Sequence, residues 1–111
     1  MVKNIKKIRT QTSTDAELLE ECKNETNCGD CELSWTTPPK RTQIKPPGNT
    51  VAIVIDVSAR GGAVRIFQND SDERVGAVGV EEAENLVIVP WDSNWWFRVS
   101  GSLRVGYVEA S

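Results

Sequence analysis

The chain is 111 residues long, 39% hydrophobic and 26% charged, with a net charge of −3 and no histidine. That length suits one small domain with an appendage. It holds no apolar run near the roughly 18 residues of a membrane span, lacks the clustered Lys and Arg excess of a nucleic-acid module, and cannot build a His-dependent triad in cis.

Composition divides the chain at about residue 50. All six lysines, all three cysteines and four of the five prolines lie in Met1 to Thr50, whereas Val51 to Ser111 carries five arginines against nine acids. The reading is two parts: residues 1–50 as an extended N-terminal arm with one short helix and a cysteine cluster, and residues 51–111 as a β-sandwich module. A module of about 60 residues buries only about 60% of the surface its unfolded chain exposes, so a partner, an oligomer or a metal clip is expected to support it.

The arm opens with a basic patch, Lys3, Lys6, Lys7 and Arg9, in a segment that favours extended chain. Thr10 to Asp15 is polar where a secretory leader would be apolar, so folding in the cytosol is expected. Thr14-Asp15-Ala16-Glu17 matches a capping box and predicts a short helix from Asp15 to about Lys23. Its expected apolar face is Ala16, Leu19 and Cys22, with Leu18 beside it and Glu17, Glu20 and Glu21 toward water. So short a helix is not stable alone and must dock on something. Pro38-Pro39 and Pro46-Pro47 then make Trp35 to Gly48 a stiff, extended connector of polyproline character.

The back half has the rhythm of strands. Val51, Ile53, Ile55 and Val57 share one face of the first, with Ala52, Val54, Asp56 and Ser58 on the other. Gly61-Gly62 ends it, Ala63 to Gln68 is the next, and Asn69-Asp70-Ser71-Asp72 turns the chain toward Arg74 to Val80. A polar loop, Glu81 to Asn85, leads to Leu86 to Pro90; Trp91-Asp92-Ser93-Asn94 turns into Trp95 to Val99, and Ser100-Gly101 links to Ser102 to Glu109. Six short strands with turn chemistry between them predict an all-β fold, a small antiparallel sandwich or barrel with Greek-key or jelly-roll connections.

Two constellations are candidates for a site. Cys22, Cys28 and Cys31 form C-x5-C-x2-C, a spacing that presents thiolates to one structural zinc, with Asp30, Glu32, water or another subunit as fourth ligand. The alternative is free or partly disulfide-bonded cysteines packing a loop. Trp91, Trp95 and Trp96 cluster around a turn beside Phe97. Trp95 and Phe97 share one strand face and Trp96 with Arg98 the other, so these indoles serve core, subunit interface or ligand stacking. Other signals are weak. Asn24-Glu25-Thr26 fits a glycosylation sequon without a secretory leader, Glu81-Glu82-Glu84 reads as a solvated loop, and Gly61-Gly62 lacks the lysine and helix of a phosphate loop. No catalytic set emerges, and an enzyme is not expected.

The stretches Gly62-Ala63-Val64-Arg65-Ile66-Phe67-Gln68-Asn69-Asp70 and Trp96-Phe97-Arg98-Val99-Ser100-Gly101-Ser102-Leu103-Arg104-Val105-Gly106-Tyr107, on an arm-plus-module layout, resemble small accessory structural proteins of tailed bacteriophages. That group includes capsid decoration (cement) proteins and small tail or fibre components. The resemblance implies a non-enzymatic virion part, assembled in the host cytoplasm. Such a part binds a major capsid or tail protein as a homo-oligomer, a trimer favoured, and its arm clamps neighbouring subunits. Neither nucleic acid nor membrane is an expected partner. Two other readings stand beside it: a carbohydrate-binding or adhesive sandwich using the tryptophans, and a zinc-containing cytosolic adaptor.

Overall fold

A computed structural model describes residues 8–10, 14–26, 28–56, 62–68, 74–79, 86–101 and 103–110. Along the chain run β1 (Ile8–Thr10), α1 (Asp15–Thr26), β2 (Cys31–Thr36), β3 (Thr50–Asp56), β4 (Ala63–Gln68), β5 (Arg74–Val78), β6 (Leu86–Pro90), β7 (Trp95–Ser100) and β8 (Arg104–Ala110). Two sheets result, one in the order β1-β6-β3-β8-β2 and one in the order β5-β4-β7. Every strand pair is antiparallel. The protein is the small antiparallel β-sandwich that its strand rhythm predicts, with one short helix near the N-terminus.

The proline-rich segment after β2 belongs to the smaller sheet. Ile44 makes an antiparallel bridge to Phe97 of β7, with reciprocal N–H to O=C bonds of 2.9 Å, and the Arg41 N–H donates to the Val99 carbonyl at 2.9 Å. Proline supplies no amide proton, so a longer ladder cannot form here. Counting this bridge, the chain changes sheet at each link from β2 onward except β4 to β5, which is the connectivity of a jelly roll. The expected stiff, extended connector is thus docked on β7, and Pro38 and Pro46 are buried.

Between the sheets Ile53, Ile55, Val87, Val89 and Val105 meet Val64, Ile66, Val75, Val78, Trp95, Phe97 and Val99. Both Val75 and Val78 point inward although they are three positions apart, an offset that regular alternation would place on opposite faces. A register shift where Ile66 pairs with Gly76 but Phe67 with Arg74 leaves Val75 as the extra residue of a bulge, which resets the alternation. At the other end of β4, Gly62 has φ +101°, and a Cβ there would strike the Ser100 carbonyl, so only glycine fits.

The larger sheet is covered on its outer face as well. There Ala52 and Val54 of β3, Leu86 and Ile88 of β6 and Val108 of β8 pack with Leu18 and Cys22 of α1 and Cys31 of β2. The residues expected to form an arm therefore take part in the fold: β2 pairs with β8 from Cys31↔Ala110 to Thr36↔Val105, and β1 pairs with β6. Composition changes at residue 50, but the described sheet runs across that boundary. The front half fills out a core that the back half alone would leave thin.

The helix caps as its sequence predicts. The Glu17 amide donates to the Thr14 hydroxyl at 3.3 Å, the Thr14 hydroxyl donates to the Glu17 carboxylate at 3.2 Å, and the Leu18 amide donates to the Thr14 carbonyl. It runs to Thr26, three residues beyond the expected end, where the Thr26 hydroxyl donates to the Cys22 carbonyl at 2.6 Å. Its docked face differs from the expected one. Leu18 and Cys22 are buried, Leu19 is half-buried, and Ala16 is exposed. Leu18 and Cys22, spaced i and i+4, offer more apolar surface to the sheet than Ala16 could.

A polar strap fixes helix and edge strand together. The Trp35 indole N–H donates to the Asp15 carboxylate at 3.1 Å, the Arg104 guanidinium lies 4.3 Å from the Trp35 ring centroid, and Arg104 pairs with Asp56 at 3.0 Å. Gly106 lies directly across from Trp35, and a Cβ there would crowd both Leu33 and the Trp35 ring. The turn Asn69 to Asp72, the loop Glu81 to Asn85, and Lys3, Lys6 and Lys7 lie outside the described residues. Leu18→Ala is expected to cost about 2 to 5 kcal/mol in urea unfolding, whereas Ala16→Glu should stay within about 0.5 kcal/mol. The reverse order would put the helix on its other face.

Candidate functional site

The described surface offers three groups for a function: the cysteines under α1, the tryptophans around the turn before β7, and a cleft on the smaller sheet. Each is set by the parity of its strand or helix.

Cys28 and Cys31 are joined by a disulfide with their Cα atoms 6.2 Å apart, while Cys22 is a free, buried thiol. Of the alternatives open at the sequence level, the structure takes the partial disulfide. Among the described residues no three Cys, Asp or Glu side chains come together as a metal site. Zinc bound through Cys22, Cys28 and Cys31 would need both bridged sulfurs reduced. Burial pushes the Cys22 thiol up to about 11, with the Glu21 carboxylate adding to the effect. A thiol so shielded stays protonated at neutral pH and is a poor nucleophile and a poor metal ligand.

The three candidate tryptophans go to different places. Trp95 faces the sandwich interior at 6% exposure, with Trp91 half-buried and edge-on to it at 5.5 Å and to Phe97 at 5.9 Å. Trp96 points to the outer face of the smaller sheet, as the strand alternation predicts, yet it is only 7% exposed. Its ring stacks on Phe67 at 4.5 Å and its indole N–H donates to the Gln68 carbonyl at 3.1 Å. The turn is closed by the Asp92 carboxylate, which accepts from the Asn94 amide, and by the Trp95 amide donating to the Asp92 carbonyl. Neither Trp95 nor Trp96 presents an open ring face on which a sugar could stack.

On that same outer face Arg65 of β4 stands directly opposite Arg98 of β7. Together with Arg41, Val99 and Ser100 they line a cleft of about 440 Å³. All three arginines are exposed, and Arg98 lies over the Phe67 ring at 5.2 Å. Arg41 has φ +59°, a left-handed conformation that is uncommon for a side-chain-bearing residue, and it is held there by the hydrogen bond its amide donates to the Val99 carbonyl. Among the described residues, no carboxylate pairs with any of the three. Sequence reading placed Arg98 on the face of Trp96 but did not join it to Arg65 or Arg41, because strand pairing between distant segments is not written in local periodicity.

No family model, no curated protein and no solved structure matches this chain.

The buried thiol yields a direct test. Native protein at pH 8 should leave Cys22 unmodified by a disulfide reagent, and unfolding without reductant should release one reactive thiol per chain. Because the folded state holds the Cys22 proton more tightly than the unfolded chain, stability is fully present below about pH 9 and falls as pH rises toward about 11. Cys22→Ala should remove that contribution from the alkaline slope, and an unchanged slope would assign it elsewhere.

Proposed function

We propose that the protein is a non-enzymatic structural component of a larger assembly. In its specific form it is a virion decoration, cement or small tail component of a tailed bacteriophage, seated as a homo-oligomer, a trimer favoured, on a major capsid or tail protein. The observation that carries the reading is the edge of the larger sheet. Over six residues β2 pairs with β8 on one side, and among the described residues nothing pairs with its other side.

A strand edge of that length presents a row of backbone donors and acceptors to any strand that approaches. Its side chains do little to prevent approach. Cys31, Leu33 and Trp35 turn toward the helix-covered face, leaving Glu32 and Ser34 exposed with Glu32 the sole charge on the strand. Charge, proline or a bulge usually blunts such an edge.

The glycan reading is less favoured because Trp95 and Trp96 are nearly buried, and the zinc adaptor reading because Cys28 and Cys31 are bridged. Native mass spectrometry of the full chain under non-reducing conditions tests self-assembly. A closed homo-oligomer is expected, reduced to monomer by the paired edge substitutions Glu32→Lys and Ser34→Lys while the melting temperature changes little. A wild-type monomer at tens of micromolar, or an oligomer indifferent to those substitutions, would contradict assembly through this edge.

A further inference from the structure

We propose that the cleft between Arg41, Arg65 and Arg98 is a binding site for the phosphate group of a small phosphorylated ligand. This inference is independent of the assembly reading. It rests on three features that each carry an energetic cost in the protein by itself and that lie together at one cleft. Arg65 and Arg98 are directly cross-strand partners, a position where like charges repel. Arg41 reaches the same cleft from a left-handed backbone conformation held by the Val99 carbonyl. All three guanidinium groups lack a carboxylate partner among the described residues, although the chain has 16 acidic residues against 13 basic.

An oxyanion resolves all three at once. A guanidinium offers a planar fork of donors that matches two oxygens of a phosphate, and a doubly charged phosphate group has oxygens enough for more than one fork. The Arg98 guanidinium lies over the Phe67 ring, itself stacked on Trp96, which restricts its freedom before binding. The Ser100 hydroxyl on the cleft wall is available as a further donor. Every cation of the cleft is arginine: Arg65 and Arg98 come from residues 51–111, which hold no lysine, and Arg41 comes from residues 1–50, which hold all six. At about 440 Å³ the cleft is within the size range of small-molecule sites and larger than one phosphate group needs, which leaves room for the group that carries it. A nucleic acid strand would instead call for a stripe of cations along its backbone, and three guanidiniums in one cleft suit a single phosphate.

The test is titration of the full chain with glycerol 2-phosphate and, separately, inorganic phosphate, at constant ionic strength so that general screening does not vary. Saturable binding is expected, with the ester at least as tight as the free anion if the spare volume is used. Arg65→Ala and Arg98→Ala should each weaken it about tenfold or more. Arg65→Lys should restore only part, since it keeps the charge and loses the fork. Arg74→Ala, on the same sheet but outside the cleft, should change nothing. Equal binding by wild type and the Arg65 and Arg98 variants, or equal loss with Arg74→Ala, would overturn the site. A stability readout covers the case of poorly folding variants. Arg65→Gln should raise the urea midpoint above wild type in phosphate-free buffer and lose that advantage in saturating phosphate. The same ranking in both buffers would also overturn the proposal.

Discussion

Burial of β3 on both faces is the constraint from which the rest of the architecture follows. Ile53 and Ile55 face the smaller sheet, Ala52 and Val54 face the helix, and all four are fully buried. Burying a Val or Ile side chain contributes about 1.5 to 3 kcal/mol relative to leaving it exposed, so a strand apolar on both sides requires two covers. The same holds for β6, where Val87 and Val89 turn inward while Leu86 and Ile88 turn outward. One cover comes from the back half of the chain, as β4, β5 and β7. The other has to come from the front half, as α1 and the outward side chains of β2.

That requirement explains why the helix is short and only weakly amphipathic yet stays in place. Leu18 and Cys22 are its sole buried residues, so packing alone would hold it loosely. The strap from Asp15 through Trp35 and Arg104 to Asp56 adds directional contacts that link α1, β2, β8 and β3. Gly106 is part of the same device, since its missing side chain is the space into which Leu33 and Trp35 settle. On the face of β2 away from the helix, Glu32 and Ser34 are polar and exposed. Structure at that edge therefore serves the cover on one face and leaves a pairing edge on the other.

Much of the sandwich was legible from local pattern. Each apolar run after Thr50 became a strand, the Asp92 turn formed as its residues suggest, and the opposite orientations of Trp95 and Trp96 followed from alternation alone. What escaped was non-local. The alternation of Cys31, Leu33 and Trp35 with Glu32, Ser34 and Thr36 is a strand signal, but the cysteine spacing and the prolines after it drew the reading toward a metal loop and a connector. The choice between Ala16 and Leu18 as the docked face could not be made without the sheet beneath, because a helix of this length carries apolar residues on overlapping stripes. Arg65 and Arg98 meet only through the β4 to β7 register, and Arg41 joins them only because the proline segment docks on β7. Charge in the cleft is thus a product of topology, placed where strand parity leaves it no carboxylate among the described residues.

Residues of the front half are part of one cooperative fold rather than an arm on a finished module. Hydrogen exchange of the full chain reads this most directly, amide by amide. The β2 amides hydrogen-bonded to β8, and those of α1 from Leu18 to Cys22, are expected to exchange with protection of the same order as β3 and β8. Fast exchange throughout α1 and β2, beside slow exchange in β3, β6 and β8, would contradict it and return the front half to an arm.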